Sequence, residues 1–192
     1  MADPAEDLIQ RLIAMSRLTG DYKSMLKAIE DQERRTPEEH TVYVLKGWVQ
    51  TQLKEYDKAS ESFDKALKLN PKSAWAYFRK GQLLEEREDH IEALICFVKA
   101  VKLKPARADF WIEKAAAEAQ LEKFPQALKS FEKAIKLGDK TGVSWYGKAR
   151  ILHLQGNVKE AAKACDNAMA QNPAEGEYRN LKATLAKELD KA

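Results

Sequence analysis

Five side chains in this sequence have the chemistry for metal ligation, acid–base exchange or nucleophilic attack: His40, His90, His153, Cys96 and Cys165. A metal site or acid–base pair on one helix needs two such groups at i, i+3 or i+4, where they share a face. No two of the histidines have that spacing. The cysteines stand 69 residues apart, with no Cys-x-x-Cys pair and no histidine at ligand spacing, which argues against zinc and against a disulfide framework. Phosphate-binding and dinucleotide-binding glycine loops are also missing from the chain. These residues predict no catalytic site, no cofactor and no metal, so the expected chemistry is recognition by a surface.

Charge narrows the partner. The 33 Lys and Arg residues are interleaved with 30 Asp and Glu, for a net charge of +3, and no polybasic stripe forms. The pattern predicts neither a nucleic-acid nor an anionic-membrane partner. The opening "MADPAEDLIQRLIAMS" carries acids where a secretory leader carries a basic head. No run reaches the roughly eighteen apolar residues a membrane helix requires, and a reducing cytoplasm is the expected compartment.

The elements that must build such a surface are visible as a repetition. "KASESFDKALKLNP" at 58–71 returns as "EALICFVKAVKLKP" at 92–105 and "QALKSFEKAIKLGD" at 126–139, each 34 residues on. Frames starting at Glu6, His40, Ala74, Ala108 and Gly142 stack five segments without a gap. Place 8 of the frame then reads Ile13, Gly47, Gly81, Ala115, Ala149, and place 20 reads Met25, Ala59, Ala93, Ala127, Ala161. Place 24 reads Ile29, Phe63, Phe97, Phe131, Cys165, place 27 reads Gln32, Ala66, Ala100, Ala134, Ala168, and place 32 reads Pro37, Pro71, Pro105, Asp139, Pro173. Places 4, 8 and 11 share one helical face, and places 20, 24, 27 and 28 share a face of the next helix. Small residues let the two backbones approach and the ring at place 24 fills the space beside them. Aromatics at place 4 (Tyr43, Tyr77, Trp111, Trp145) supply bulk from the first helix. Proline at place 32 ends the second helix. Only eight Gly and six Pro occur in 192 residues, which fits continuous helices.

These columns resemble the tetratricopeptide repeat. Frames 2 and 3 match its pattern fully, frame 4 lacks the proline, and frame 5 has Cys165 for the aromatic. The resemblance implies an all-α fold, a right-handed superhelical solenoid of antiparallel helix pairs, with repeats at 6–39, 40–73, 74–107, 108–141 and 142–175. Residues 176–190, with Tyr178, Leu181, Leu185 and Leu189 on one face, are expected to cap it. Lys46, Lys80, Lys114 and Lys148 stand at place 7 where the family usually has leucine. Their stems are expected to pack while the ammonium reaches water.

The resemblance further implies a non-catalytic interaction module whose first helices line a concave groove, taking another protein's extended peptide or helix. The facing places, 2, 5, 6, 9, 12 and 13, give Val44, Trp48, Trp75, Phe78, Arg79, Gln82, Ile112, Glu113, Tyr146 and Arg150. Phe78, Ile112 and Tyr146 are expected to be exposed, whereas Trp48 and Trp75 fit the groove or the core. Family members that grip the acidic C-terminal tails of chaperones carry Lys and Asn at places 5 and 9, Asn at place 6 of the following repeat, then Lys and Arg. Place 5 here reads Gln10, Val44, Phe78, Ile112, Tyr146 and place 6 reads Arg11, Leu45, Arg79, Glu113, Gly147, so a chaperone tail is not the expected ligand. Self-association or docking through edges and the convex face is the alternative. At "LGDKTGVSWYGKAR", residues 137–150, Asp139 replaces proline and three glycines enter, which predicts a softer junction. Gly147 there costs its helix roughly 1 kcal/mol relative to alanine.

Overall fold

A computed structural model describes residues 20–190. The first helix expected of frame 1, with Gln10, Arg11 and Ile13, lies outside them. All regular structure among the described residues is helical, and it falls into two compact units, one ending at Leu103 and the other starting at Lys104. The first holds α1 (Tyr22–Arg35), α2 (His40–Gln52), α3 (Tyr56–Leu69), α4 (Ala74–Glu86) and α5 (His90–Leu103). The second holds α6 (Ala108–Gln120), α7 (Phe124–Lys136), α8 (Val143–Leu154), α9 (Val158–Gln171) and α10 (Gly176–Leu189). Helices start at Tyr22, Tyr56, His90, Phe124 and Val158, every 34 residues.

Packing follows the columns. Ala59, Ala66, Ala93, Ala100, Ala127, Ala134, Ala161 and Ala168 are all fully buried, as are Phe63 and Phe97. A Cβ built on Gly47 would lie 2.8 Å from the Phe63 ring, and one on Gly81 would lie 2.6 Å from the Phe97 ring. Glycine at place 8 is therefore what lets each ring lie flat on the backbone of the partner helix. Tyr43 closes the start of its repeat by donating its hydroxyl to the Pro37 carbonyl at 2.9 Å, and the Trp111 indole does the same to Pro105.

The turn inside each pair has one geometry. Gly20, Lys54, Glu88, Glu122 and Gly156, all at place 15, adopt φ between 55° and 77°. Glu55, Asp89, Lys123 and Asn157 donate their N–H to carbonyls five residues back, and the residue before each donates three back. That is the Schellman closure, which satisfies the last carbonyls of the first helix and requires a left-handed residue.

Three of the four place-7 lysines reach an acid of a neighbouring helix: Lys46 to Glu33, Lys80 to Asp64 and Lys148 to Glu132 at 2.7 Å. Lys182, at the same place one period later, pairs with Asp166. Place 25 in frame 3 is Val98, which has no carboxylate. Lys114 instead donates to Glu118 and to Ser130, and Ser130 donates to Glu118 at 2.6 Å inside the α6–α7 contact.

Candidate partner-binding groove

The second unit carries an open cavity of about 560 Å³. α6 contributes Ile112, Ala116, Ala119 and Gln120, while α8 contributes Val143, Tyr146, Gly147, Arg150, Ile151 and Leu154. Glu175 and α10, through Glu177 and Tyr178, form the remaining wall, with Phe124 and Phe131 of α7 behind. First-of-pair helices thus provide most of the lining.

The alternation of small and large residues shapes the floor. Gly147 presents no side chain, and a Cβ there would meet the Phe131 ring at 2.3 Å, so α7 and α8 touch at this point. One turn on, Arg150 is exposed, and Leu154 is 70 % exposed at the lip. Tyr146 and Tyr178 stack with ring centroids 4.8 Å apart, and Tyr178 donates to the Thr141 carbonyl. Burial pushes both phenols up, reinforced by Glu177 at Tyr146 and by Glu175 at Tyr178. Both therefore stay neutral and keep a hydroxyl donor at neutral pH. The guanidinium of Arg150 lies 5.9 Å from the Tyr146 ring, and the acids Glu175 and Glu177 line the same cavity. Apolar walls between a cation and two carboxylates can bury an apolar side chain and fix the direction of the backbone that carries it.

The seam feeding α8 has more structure than expected. Asp139 is buried and accepts from the Thr141 N–H, the Thr141 hydroxyl and the Ser144 N–H at 2.9, 2.6 and 3.0 Å. Burial works to raise its carboxyl, and these bonds outweigh it, so the group sits below its ordinary value. Gly142 stands at φ 84°, where a Cβ would meet the Ala168 carbonyl at 2.7 Å and Tyr178 at 2.9 Å. Hydrogen bonds and close contacts, which oppose loosening, thus occupy the residues where a soft junction was expected.

In the first unit the expected groove residues are Val44, Trp48, Trp75, Phe78, Arg79 and Gln82, and Gln82 is half-buried. Val44, Trp48, Trp75, Phe78 and Arg79 are all buried. Phe78, expected exposed, is 4 % exposed; it packs edge-on against Trp75 at 5.5 Å and tilts onto Phe97 at 6.0 Å. Trp48 stacks edge-on with Tyr22 of α1 at 5.8 Å. Arg79 lies 5.5 Å from both the Trp75 and Phe78 rings and donates to Gln82 at 2.8 Å. Of the ten expected residues, Ile112, Tyr146 and Arg150 line the cavity, while Glu113 of α6 does not. Sequence reasoning did not place Val143, Leu154, Glu175, Glu177 or Tyr178 in the groove, Tyr178 being expected on the capping face. Val143 and Leu154 hold places 2 and 13, both in the groove-facing set, so that signal was present.

The three histidines have polar partners and the two cysteines are buried. His90 Nδ1 donates to Glu85 at 2.8 Å, and His153 Nε2 reaches Glu188 of α10 at 3.0 Å. Cys96 and Cys165 are free and buried, and burial pushes both thiols up, away from the nucleophilic thiolate. Among the described residues no three His, Cys, Asp or Glu side chains gather as a metal site, and no helix is long and apolar enough to cross a membrane.

Comparison with known proteins agrees with this architecture. Tetratricopeptide repeat family models match residues 41–73, 62–95 and 112–176. The chain belongs to the tetratricopeptide repeat family, an all-α helical solenoid class whose members generally mediate protein–protein interactions and are typically non-catalytic.

Among solved structures it is similar to PilW, a type IV pilus biogenesis factor, at 22 % identity and TM-score 0.83, covering all of this chain and 89 % of that one. It is also similar to a thermophilic tetratricopeptide repeat protein of Thermus thermophilus, at 20 % identity and TM-score 0.71, over 94 % of this chain and 98 % of that one. YrrB, described as having an unusual peptide-binding site, is 20 % identical with TM-score 0.73 over 86 % and 85 % of the two chains. At these identities the likeness is one of fold. No curated protein matches the sequence.

Proposed function

We propose that this chain is a non-catalytic interaction module that holds a partner protein's extended peptide or helix in the groove between α6, α8 and α10. The observation that carries the reading is the stacked pair Tyr146–Tyr178, flanked by apolar Ile112 and Leu154 and bracketed by Arg150 and the acids Glu175 and Glu177. The fitting ligand has an apolar or aromatic anchor for that floor, an acidic group toward Arg150 and a basic group toward α10. A chaperone tail lacks that basic group, and the groove lacks the paired cations such a tail needs. The repeats are taken as 6–39, 40–73, 74–107, 108–141 and 142–175 with a cap at 176–190. Val44, Trp48, Trp75, Phe78 and Arg79 are read as packing residues. A reducing cytoplasm suits the two free cysteines.

Peptide display against the full chain tests the reading. Selected peptides are expected to share the anchor and its flanking charges, and to lose about tenfold or more in affinity against Leu154→Glu or Arg150→Glu, a loss of roughly 1.4 kcal/mol. Peptides whose affinity ignores both exposed substitutions would contradict it.

A further inference from the structure

The outer face of α5 departs from every other second-of-pair helix. Places 18 and 22 are Lys23 and Lys27, Asp57 and Glu61, Pro125 and Lys129, and Lys159 and Lys163 elsewhere, but Ile91 and Ile95 in α5. Place 25 is acidic in all other frames and Val98 here. Ile91 is 64 % exposed and Ile95 is 43 % exposed, while Val98 is half-buried, so the three form an apolar strip along one face. Nothing in the repeat's own packing requires it, since Ala93, Phe97 and Ala100 already fill the contact with α4.

The charges beside the strip are ordered by sign. Glu92 lies toward the N-terminal end, and Lys99 and Lys102 lie toward the C-terminal end. Neither Glu92 nor Lys102 enters an ion pair among the described residues, and the Lys99 ammonium rests 5.0 Å over the Tyr77 ring. A surface with its acid at one end, its bases at the other and an apolar middle complements itself when turned end for end. We propose that α5 pairs antiparallel with α5 of a second copy about a two-fold axis near Ile95. Ile95 then meets Ile95, Ile91 lies along the other copy's Val98 and the stem of its Lys99, and each Glu92 faces the other copy's Lys99. One helix of 14 residues is a small interface, so the dimer belongs to the weak class that assembles on the order of tens to hundreds of micromolar.

Sedimentation equilibrium of the full chain over a concentration series tests this pairing. The expected result is reversible monomer–dimer behaviour that Ile91→Lys with Ile95→Lys abolishes, at unchanged circular dichroism and thermal midpoint because both positions face solvent. Glu92→Lys is expected to weaken the dimer about tenfold, and adding Lys99→Glu should restore it. Ile95→Cys should give a covalent dimer under mild oxidation, the native cysteines being buried. A chain that stays monomeric, a dimer that survives the double lysine variant, or a charge swap that restores nothing would overturn the pairing. Peptide binding in the groove is read separately, because these variants leave α6, α8 and α10 untouched.

Discussion

Gly147 and Phe131 share a space with no room for a methyl group: a Cβ on the glycine would stand 2.3 Å from the ring. The ring is buried. Helix propensity alone favours Gly147→Ala by about 1 kcal/mol. Overpacking a filled contact costs about 1 to 3 kcal/mol and works against it. The variant is therefore expected to be destabilised by about 1 kcal/mol in urea unfolding. A stabilised Gly147→Ala would show that α7 and α8 are not in this contact.

The place-15 turn predicts the opposite sign for a mutation toward glycine. Lys54 and Glu88 carry side chains at φ 60° and 62°, while Gly20 and Gly156 fill the same place without one. Left-handed backbone costs a non-glycine residue roughly 1 kcal/mol, part of which glycine returns as unfolded-state entropy. Lys54→Gly and Glu88→Gly are each expected to raise stability by about 0.5 kcal/mol in thermal or urea unfolding. A loss of stability in both would contradict the Schellman assignment.

Asp139 gives the seam a pH dependence with a definite sign. Its folded carboxyl lies below the ordinary value of 3.8, so its contribution is fully present above that value and is lost as pH falls through the lower folded value. Asp139→Asn removes the charged acceptor of three hydrogen bonds and is expected to cost about 1 to 2 kcal/mol at neutral pH. The difference from the parent chain should shrink below about pH 4. A difference that holds constant into acid would assign the loss to packing instead.

The repeat was legible because packing imposes it column by column. Gly47 with Phe63, Gly81 with Phe97 and the buried alanines follow from helix spacing alone. The contact of Gly147 was not legible because its partner, Phe131, belongs to the preceding frame, and a column within one repeat carries no trace of a contact between repeats. Asp139 was read as a missing proline because its work is done by local hydrogen bonds to Thr141 and Ser144, which punctuate the chain in another way. The link from place-7 lysines to place-25 acids could have been read from Lys80 with Asp64 and Lys148 with Glu132, and Val98 marks its interruption. Burial of Trp75 and Phe78 was beyond a place rule, since their neighbours on the same face decide whether an aromatic is floor or core.

The proposed partner segment lies against Tyr146 and Tyr178. Hydrogen–deuterium exchange of the full chain, with and without a display-selected peptide, tests it most directly. Added protection is expected in 112–120, 143–154 and 175–178, with none along the outer face of α5, and protection of 138–150 in the free chain is expected to be comparable to that of 104–116. Protection that appears elsewhere while these three segments exchange as in the free chain would contradict it.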